Sequence, residues 1–158
     1  MGDYNLKTSG NETWLTPPEL VKSLGEFDLD PCMAVGQPWE LATSNYTLPT
    51  DGLAQPWAGR VWCNPPYGNK TFAWLDKLST HPGGGIGLVF ARTETIGFHR
   101  YVWDRAHAVF FFKGRISFLM VDGKSSKSAP APSCLIAYTA RDTSALLHCG
   151  LKGRFVRL

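Results

Sequence analysis

The chain has 158 residues, a length that suits a single domain over 1–158 with a sizeable core and leaves little room for a second lobe. Hydrophobic residues make up 44% and charged residues 18%, which excludes a disordered chain, and no apolar run reaches the length of a membrane span. The formal charge of +3, with a pI near 8.7, permits a polyanionic partner without demanding one.

Residues 1–12 are polar and mixed and read as a loose N-terminal arm, without the basic-then-apolar pattern of a signal peptide. Pro17–Leu24 is predicted as a short helix: prolines open it, Leu20, Val21 and Leu24 share a face, and Gly25 ends it. Phe27–Asp30 is a short strand that stops at Pro31. Residues 32–56 are rich in Pro, Gly and polar residues without periodicity and read mostly as loop. Arg60–Cys63 is a strand running into Asn64-Pro65-Pro66-Tyr67-Gly68, and Thr71–Leu78 has helical spacing in Phe72, Leu75 and Leu78.

After Pro82-Gly83-Gly84-Gly85, Ile86–Ala91 is continuous and apolar, as a buried strand should be. Phe98–Ala106 reads as helix, Ala108–Phe112 as a buried strand, Gly114–Met120 as a further strand and Ser133–Tyr138 as another. Val121–Pro132, full of Gly, Ser, Lys and Pro, is predicted as a flexible loop. Strands alternating with helices predict an α/β sheet with flanking helices, whose ligand lies at the carboxyl ends of the strands. Asp30 and Asn64 both fall just there.

Asn64-Pro65-Pro66-Tyr67 suits one chemical problem. An aromatic amine is a poor nucleophile because its lone pair is delocalised into the ring. Two acceptors on its N–H bonds, the Asn64 side-chain oxygen and the Pro65 carbonyl, draw the nitrogen toward pyramidal geometry. Consecutive prolines fix φ and donate nothing, so those carbonyls are held rigidly. Tyr67 offers a flat face for a base, worth about 1–3 kcal/mol in stacking. As structure alone, the same residues make a proline-rich turn with Tyr67 as packing.

The tetrapeptide resembles the catalytic motif of the amino-methyltransferases. Trp14-Leu15-Thr16-Pro17-Pro18-Glu19-Leu20, Phe27-Asp28-Leu29-Asp30-Pro31-Cys32, Asp51-Gly52-Leu53 with Trp57, and Gly114-Arg115-Ile116-Ser117-Phe118 extend the likeness. In this order, over roughly residues 12–138, the chain resembles the phage-type DNA N6-adenine methyltransferases, the small Dam-like group. That resemblance implies a Rossmann-like sheet, S-adenosylmethionine as methyl donor, DNA as partner, and a phage- or prophage-encoded protein in the bacterial cytoplasm.

By the same resemblance, Asn64, Pro65, Pro66 and Tyr67 are catalytic. Asp30, Pro31 and Cys32 match the loop that holds the methionine portion of the cofactor, and Thr16-Pro17 the segment that closes over it. Asp51, with Gly52 and Leu53, matches an acid that accepts from the cofactor's adenine amine. A carboxylate pairs naturally with the methionine ammonium. The chain departs from the broader methyltransferase pattern in two places. No Gly-x-Gly follows the first strand, where Gly36 is the only nearby glycine, and no clear acidic residue on a second strand serves the ribose hydroxyls, for which Glu40 is a weak candidate. Other planar amines stay open as targets, namely cytosine N4, an RNA base or a protein glutamine, as do a small-molecule substrate and an inactive nucleic-acid-binding relative.

Pro31-Cys32 has a likeness to the Pro-Cys of cytosine-C5 enzymes, but its place beside the cofactor strand argues against a nucleophile. Lys113, Arg115, Lys124 and Lys127 surround the 121–132 segment and read either as solvated surface or as phosphate contacts, and Arg92 at a strand end has the same two readings. Cys32, Cys63, Cys134 and Cys149 show no CxxC pairing and no His at ligand spacing, so no metal site is expected. Oligomeric state is left open between a monomer and a weak homodimer.

Overall fold

The computed structural model describes residues 14–158, so the arm expected at 1–12 lies outside the described residues. Seven strands form one sheet. In chain order they are β1 (Leu29–Asp30), β2 (Ser44–Asn45), β3 (Val61–Cys63), β4 (Gly85–Phe90), β5 (Ala108–Phe112), β8 (Ser133–Ala137) and β9 (Gly153–Arg157). Their spatial order is β2-β1-β3-β4-β8-β5-β9. The first four run parallel, while β8 is antiparallel to both β4 and β5, and β9 is antiparallel to β5.

Central β3 and β8 are buried at every residue and β4 at all but Phe90, because helices cover both faces of the sheet. Successive side chains alternate between two cores. Trp62, Ile86, Leu88, Phe110 and Leu135 pack with α1 (Pro18–Lys22) and α4 (Ala140–His148) on one face. Val61, Cys63, Val89, Val109 and Ile136 pack on the other with α2 (Thr71–Thr80) and α3 (Ile96–Phe98), which continues as a π-helical segment over His99–Trp103.

Two segments differ from the sequence expectation. Phe98–Ala106 reads as helix and is helical as far as Trp103, but the helix starts earlier, where the Thr95 hydroxyl caps it by accepting from Phe98 N–H at 3.2 Å, and it widens into the π segment. Val121–Pro132, expected as a flexible loop, contains β7 (Ser125–Ser128), which pairs antiparallel with β6 (Ser117–Leu119). An Asp-Gly turn drives this hairpin: Gly123 adopts φ of 79°, and Asp122 Oδ1 accepts from Lys124 N–H at 2.9 Å. Most of the ribbon's residues are exposed, so it lacks the alternation by which strands are recognised in a sequence.

Both α4 and β9 fall in a stretch from which no element was predicted. A local signal was present in Thr139-Ala140-Arg141-Asp142, where the Thr139 hydroxyl accepts from Asp142 N–H at 3.2 Å. Among the described residues, no helix is long and apolar enough to cross a membrane, and no group of three His, Cys, Asp or Glu side chains stands ready for a metal ion.

Candidate active site

The chain leaves β1 for β2 on one side, then returns to lay β3 on the other side of β1. Open α/β sheets bind their ligands at such a reversal, which here falls between the carboxyl ends of β1 and β3. Asp30 ends β1, and Asn64 follows β3.

Asp30 is 3% exposed. Its Oδ1 accepts from Cys32 N–H at 3.1 Å, and no Lys or Arg among the described residues pairs with it. Burial therefore dominates and lifts its carboxyl to about 7, against a smaller lowering by the Cys32 N–H. The Cys32 thiol is pushed well above its ordinary range by its hydrogen bond with Cys63, by burial and by the nearby Asp30 charge. It donates to the Asn64 carbonyl at 3.2 Å. Such a thiol is a packing donor rather than a thiolate nucleophile.

The turn at Asp51–Leu53 is pressed against this loop. A Cβ built on Gly52 would lie 1.7 Å from the Pro31 carbonyl oxygen, so only glycine fits. Asp51 is exposed and its Oδ1 accepts from Leu53 N–H at 3.0 Å. Trp57 Nε1 donates to the Gly52 carbonyl at 2.8 Å, and Lys77 Nζ, from α2, to the Leu53 and Gln55 carbonyls at 2.7 and 2.5 Å. Glu40 is exposed on the β1–β2 connection.

Asn64 is half-buried. Its Nδ2 donates to Thr16 Oγ1 at 3.0 Å, whereas its Oδ1 is buried without a hydrogen-bond partner among the described residues. Buried polar atoms are nearly always paired, and this acceptor is one of several left unpaired among the described residues, the one that stands directly after β3. Pro65 is buried. Thr71, at the first turn of α2, clamps the rest of the motif: its hydroxyl donates to the Pro66 carbonyl at 2.9 Å and accepts from Gly68 N–H at 3.1 Å. Tyr67 is 37% exposed, and its ring stacks on Phe90 with centroids 4.1 Å apart and planes 6° from parallel.

Thr16, Asp30, Pro31, Cys32, Gly52 and Asn64 are thus linked by direct contacts, with Pro17 and Pro65 next to them in the chain. Arg92 is exposed, with its guanidinium 5.8 Å from the centroid of Phe90, one ring removed from Tyr67. Lys113, Arg115 and Lys124 are exposed on and around the β6–β7 hairpin, and Lys127 belongs to β7. Leu15, beside Thr16, exchanges two backbone hydrogen bonds with Leu119 of β6, at 2.8 and 2.9 Å.

Phe90 and Thr71 escaped the sequence reading. Phe90 sits at the end of an all-apolar strand, where nothing distinguishes it from core. Thr71 had a local signal, a hydroxyl three residues after the Gly that ends the motif.

A buried carboxyl and an unpaired amide oxygen thus stand on either side of a strand-order reversal in an α/β fold. The family model described as DNA N-6-adenine-methyltransferase (Dam) matches residues 3–147, and the chain belongs to that family. It is therefore an adenine-specific DNA methyltransferase, and membership implies S-adenosylmethionine as the methyl donor. No characterised protein and no solved structure matches the chain.

Proposed function

We propose that the crevice between β1 and β3 is the methyl-transfer site of a single-domain, Rossmann-like enzyme of the phage-encoded type, acting on DNA in the bacterial cytoplasm. The orphaned Asn64 Oδ1 carries this reading. Together with the Pro65 carbonyl, it accepts from the two N–H bonds of the adenine N6 amine, localising the lone pair for attack. The adenine has to leave the duplex to reach this depth. It then stacks on the outer face of Tyr67, which Phe90 backs and holds flat.

The residues at the end of β1 fit the cofactor. Asp30 is a buried carboxyl that no cation among the described residues pairs with, and the ammonium of a methionine group is a fitting partner for it. Pro31, Cys32, Gly52 and Leu53 shape the wall beside it, Thr16-Pro17 closes over it, and Asp51 is the acceptor at its adenine end. When bound, S-adenosylmethionine supplies an electrophilic methyl on sulfonium. The protein's own contribution is to position both reactants and to shield the amine from water. Arg92, Lys113, Arg115, Lys124 and Lys127 are assigned to the DNA phosphates.

Asn64→Ala is expected to leave the fold intact and to lower kcat by two to three orders of magnitude, a barrier increase of about 3–4 kcal/mol. Mass spectrometry of digested DNA reads both the loss and the product, N6-methyladenine. Normal turnover by the folded variant would remove Asn64 from the mechanism, and N4-methylcytosine as the wild-type product would replace the target base.

A further inference from the structure

Strand β9 lies beyond the residues 3–147 that the family model matches. It completes the sheet by pairing with β5, and Phe155 packs against the core of one face. Its charges go further than that task requires. Lys152, Arg154 and Arg157 are exposed, and from Thr143 to Leu158 the chain holds no Asp or Glu. Charges on an edge strand keep it from pairing with a second copy, a purpose that either sign serves. A run of one sign points to an anionic partner.

We infer that Lys152 and Arg154, with Lys113 beside them, form a strip that holds the phosphates of the DNA flank, several base pairs from the adenine being methylated. β5 runs parallel to β4, since both are antiparallel to β8, so Lys113, directly after β5, stands at the carboxyl edge of the sheet. β9 runs the other way and starts at that edge. There Lys113 N–H donates to the Lys152 carbonyl at 3.0 Å, and Arg154 is in register with Phe111. Among the described residues, none of Lys113, Lys152 and Arg154 has an ion-pair partner, so the three charges are available to an outside anion. Asn64 follows β3 at the same edge, and the order β3-β4-β8-β5-β9 puts four strand spacings between it and β9. At roughly 4.8 Å per spacing, the strip is about 20 Å from the methyl-transfer site. A duplex rises about 3.4 Å per base pair, so a helix lying along the edge brings phosphates about five to six base pairs from the target onto β9. DNA as the substrate follows from family membership, and the position of the target adenine rests on the proposed site.

The test measures binding of the full chain by fluorescence anisotropy across a range of salt. Its probes are a duplex with about ten base pairs on both sides of an adenine that the enzyme methylates, and two shorter ones cut to about three on one side or the other. The double variant Lys152→Gln, Arg154→Gln is expected to lower the slope of log affinity against log salt by about 1.8 on the long duplex, two contacts at about 0.9 each. On the duplex cut on the side that faces β9, wild type and variant give equal slopes. Lys152→Arg, Arg154→Lys keeps both charges and is expected to keep the wild-type slope, which separates lost charge from lost fold. A wild-type slope in the Gln variant on the long duplex overturns the inference and leaves β9 a solvated edge. A slope lowered equally on all three duplexes also overturns it, because the cations would then act beside the target rather than on the flank. So does a lowered slope in the charge-keeping variant, which would make these side chains structural. The reading of the site fails separately, through normal turnover by Asn64→Ala.

Discussion

At the residue scale, the Asp30 carboxyl has consequences that reach beyond its hydrogen bond. Burial holds it near 7, against about 4 in an unfolded chain. Between those values the folded protein binds a proton that the unfolded chain has released, so the stability of the free protein falls as pH rises through this window and levels off above it. An ammonium beside Asp30 reverses the preference and favours the carboxylate. Binding of S-adenosylmethionine is therefore expected to strengthen from pH 6 toward pH 7, with release approaching one proton at about pH 6 and little above about pH 8. Calorimetry in buffers of different ionisation enthalpy measures that proton, and Asp30→Asn should abolish it while weakening affinity. Proton release that survives in Asp30→Asn would place the titrating group elsewhere. The position of Asp30 was legible in the sequence from the strand before it and Pro31 after it. Its raised carboxyl was not, because it depends on burial that arises only once the chain has folded.

Among the elements, the turn at Asp51–Leu53 and the loop after β1 behave as one piece. They meet at Gly52, against the Pro31 carbonyl, and are tied to α2 through Lys77. Gly52→Ala would force a Cβ into the Pro31 backbone, which has no flexible end to swing away. A loss of roughly 1–3 kcal/mol in stability is expected from such overpacking. Affinity for S-adenosylmethionine should fall by more than stability alone explains, because the loop that must give way is the one carrying Asp30. Paired thermal melts and titrations separate the two, and wild-type affinity in the folded variant would mean that the β1 loop does not hold the cofactor. Elements with apolar runs, such as β4, β5 and β8, were readable because burial on both faces leaves a continuous pattern. The β6–β7 ribbon was readable only as loop, since its order comes from an Asp-Gly turn and from the partnership of Leu119 with Leu15, more than a hundred residues away in the chain.

Across the whole molecule, one buried ion pair joins the start of β3 to α4. Arg60 Nε donates to Asp142 Oδ1 at 2.7 Å, and Nη1 to the Leu24 and Glu26 carbonyls at 2.9 Å each. Asp142 Oδ2 accepts from Gly85 N–H at 2.8 Å at the start of β4. This pair lies at the amino ends of β3 and β4, opposite the carboxyl ends at which methyl transfer is proposed. At the working edge, the bridge between Leu15 and Leu119 ties the segment carrying Thr16 to the β6–β7 hairpin, and with it Arg115 and Lys124. Lys124 faces Asp122 at 3.9 Å, but both side chains are exposed and such a pair holds the lysine weakly. If these cations meet the phosphates flanking the flipped adenine, each contact releases counterions. The logarithm of DNA affinity then falls against the logarithm of salt concentration with a slope of about 0.9 per contact. The double variant Arg115→Ala, Lys124→Ala is expected to flatten that slope by about two contacts' worth, weakening binding to unrelated DNA as much as to methylatable DNA. Titrations by fluorescence anisotropy across a range of salt read the slope directly. A slope equal to that of the wild type would free the hairpin from the DNA and leave Arg92, beside the Tyr67–Phe90 stack, as the cation to test next.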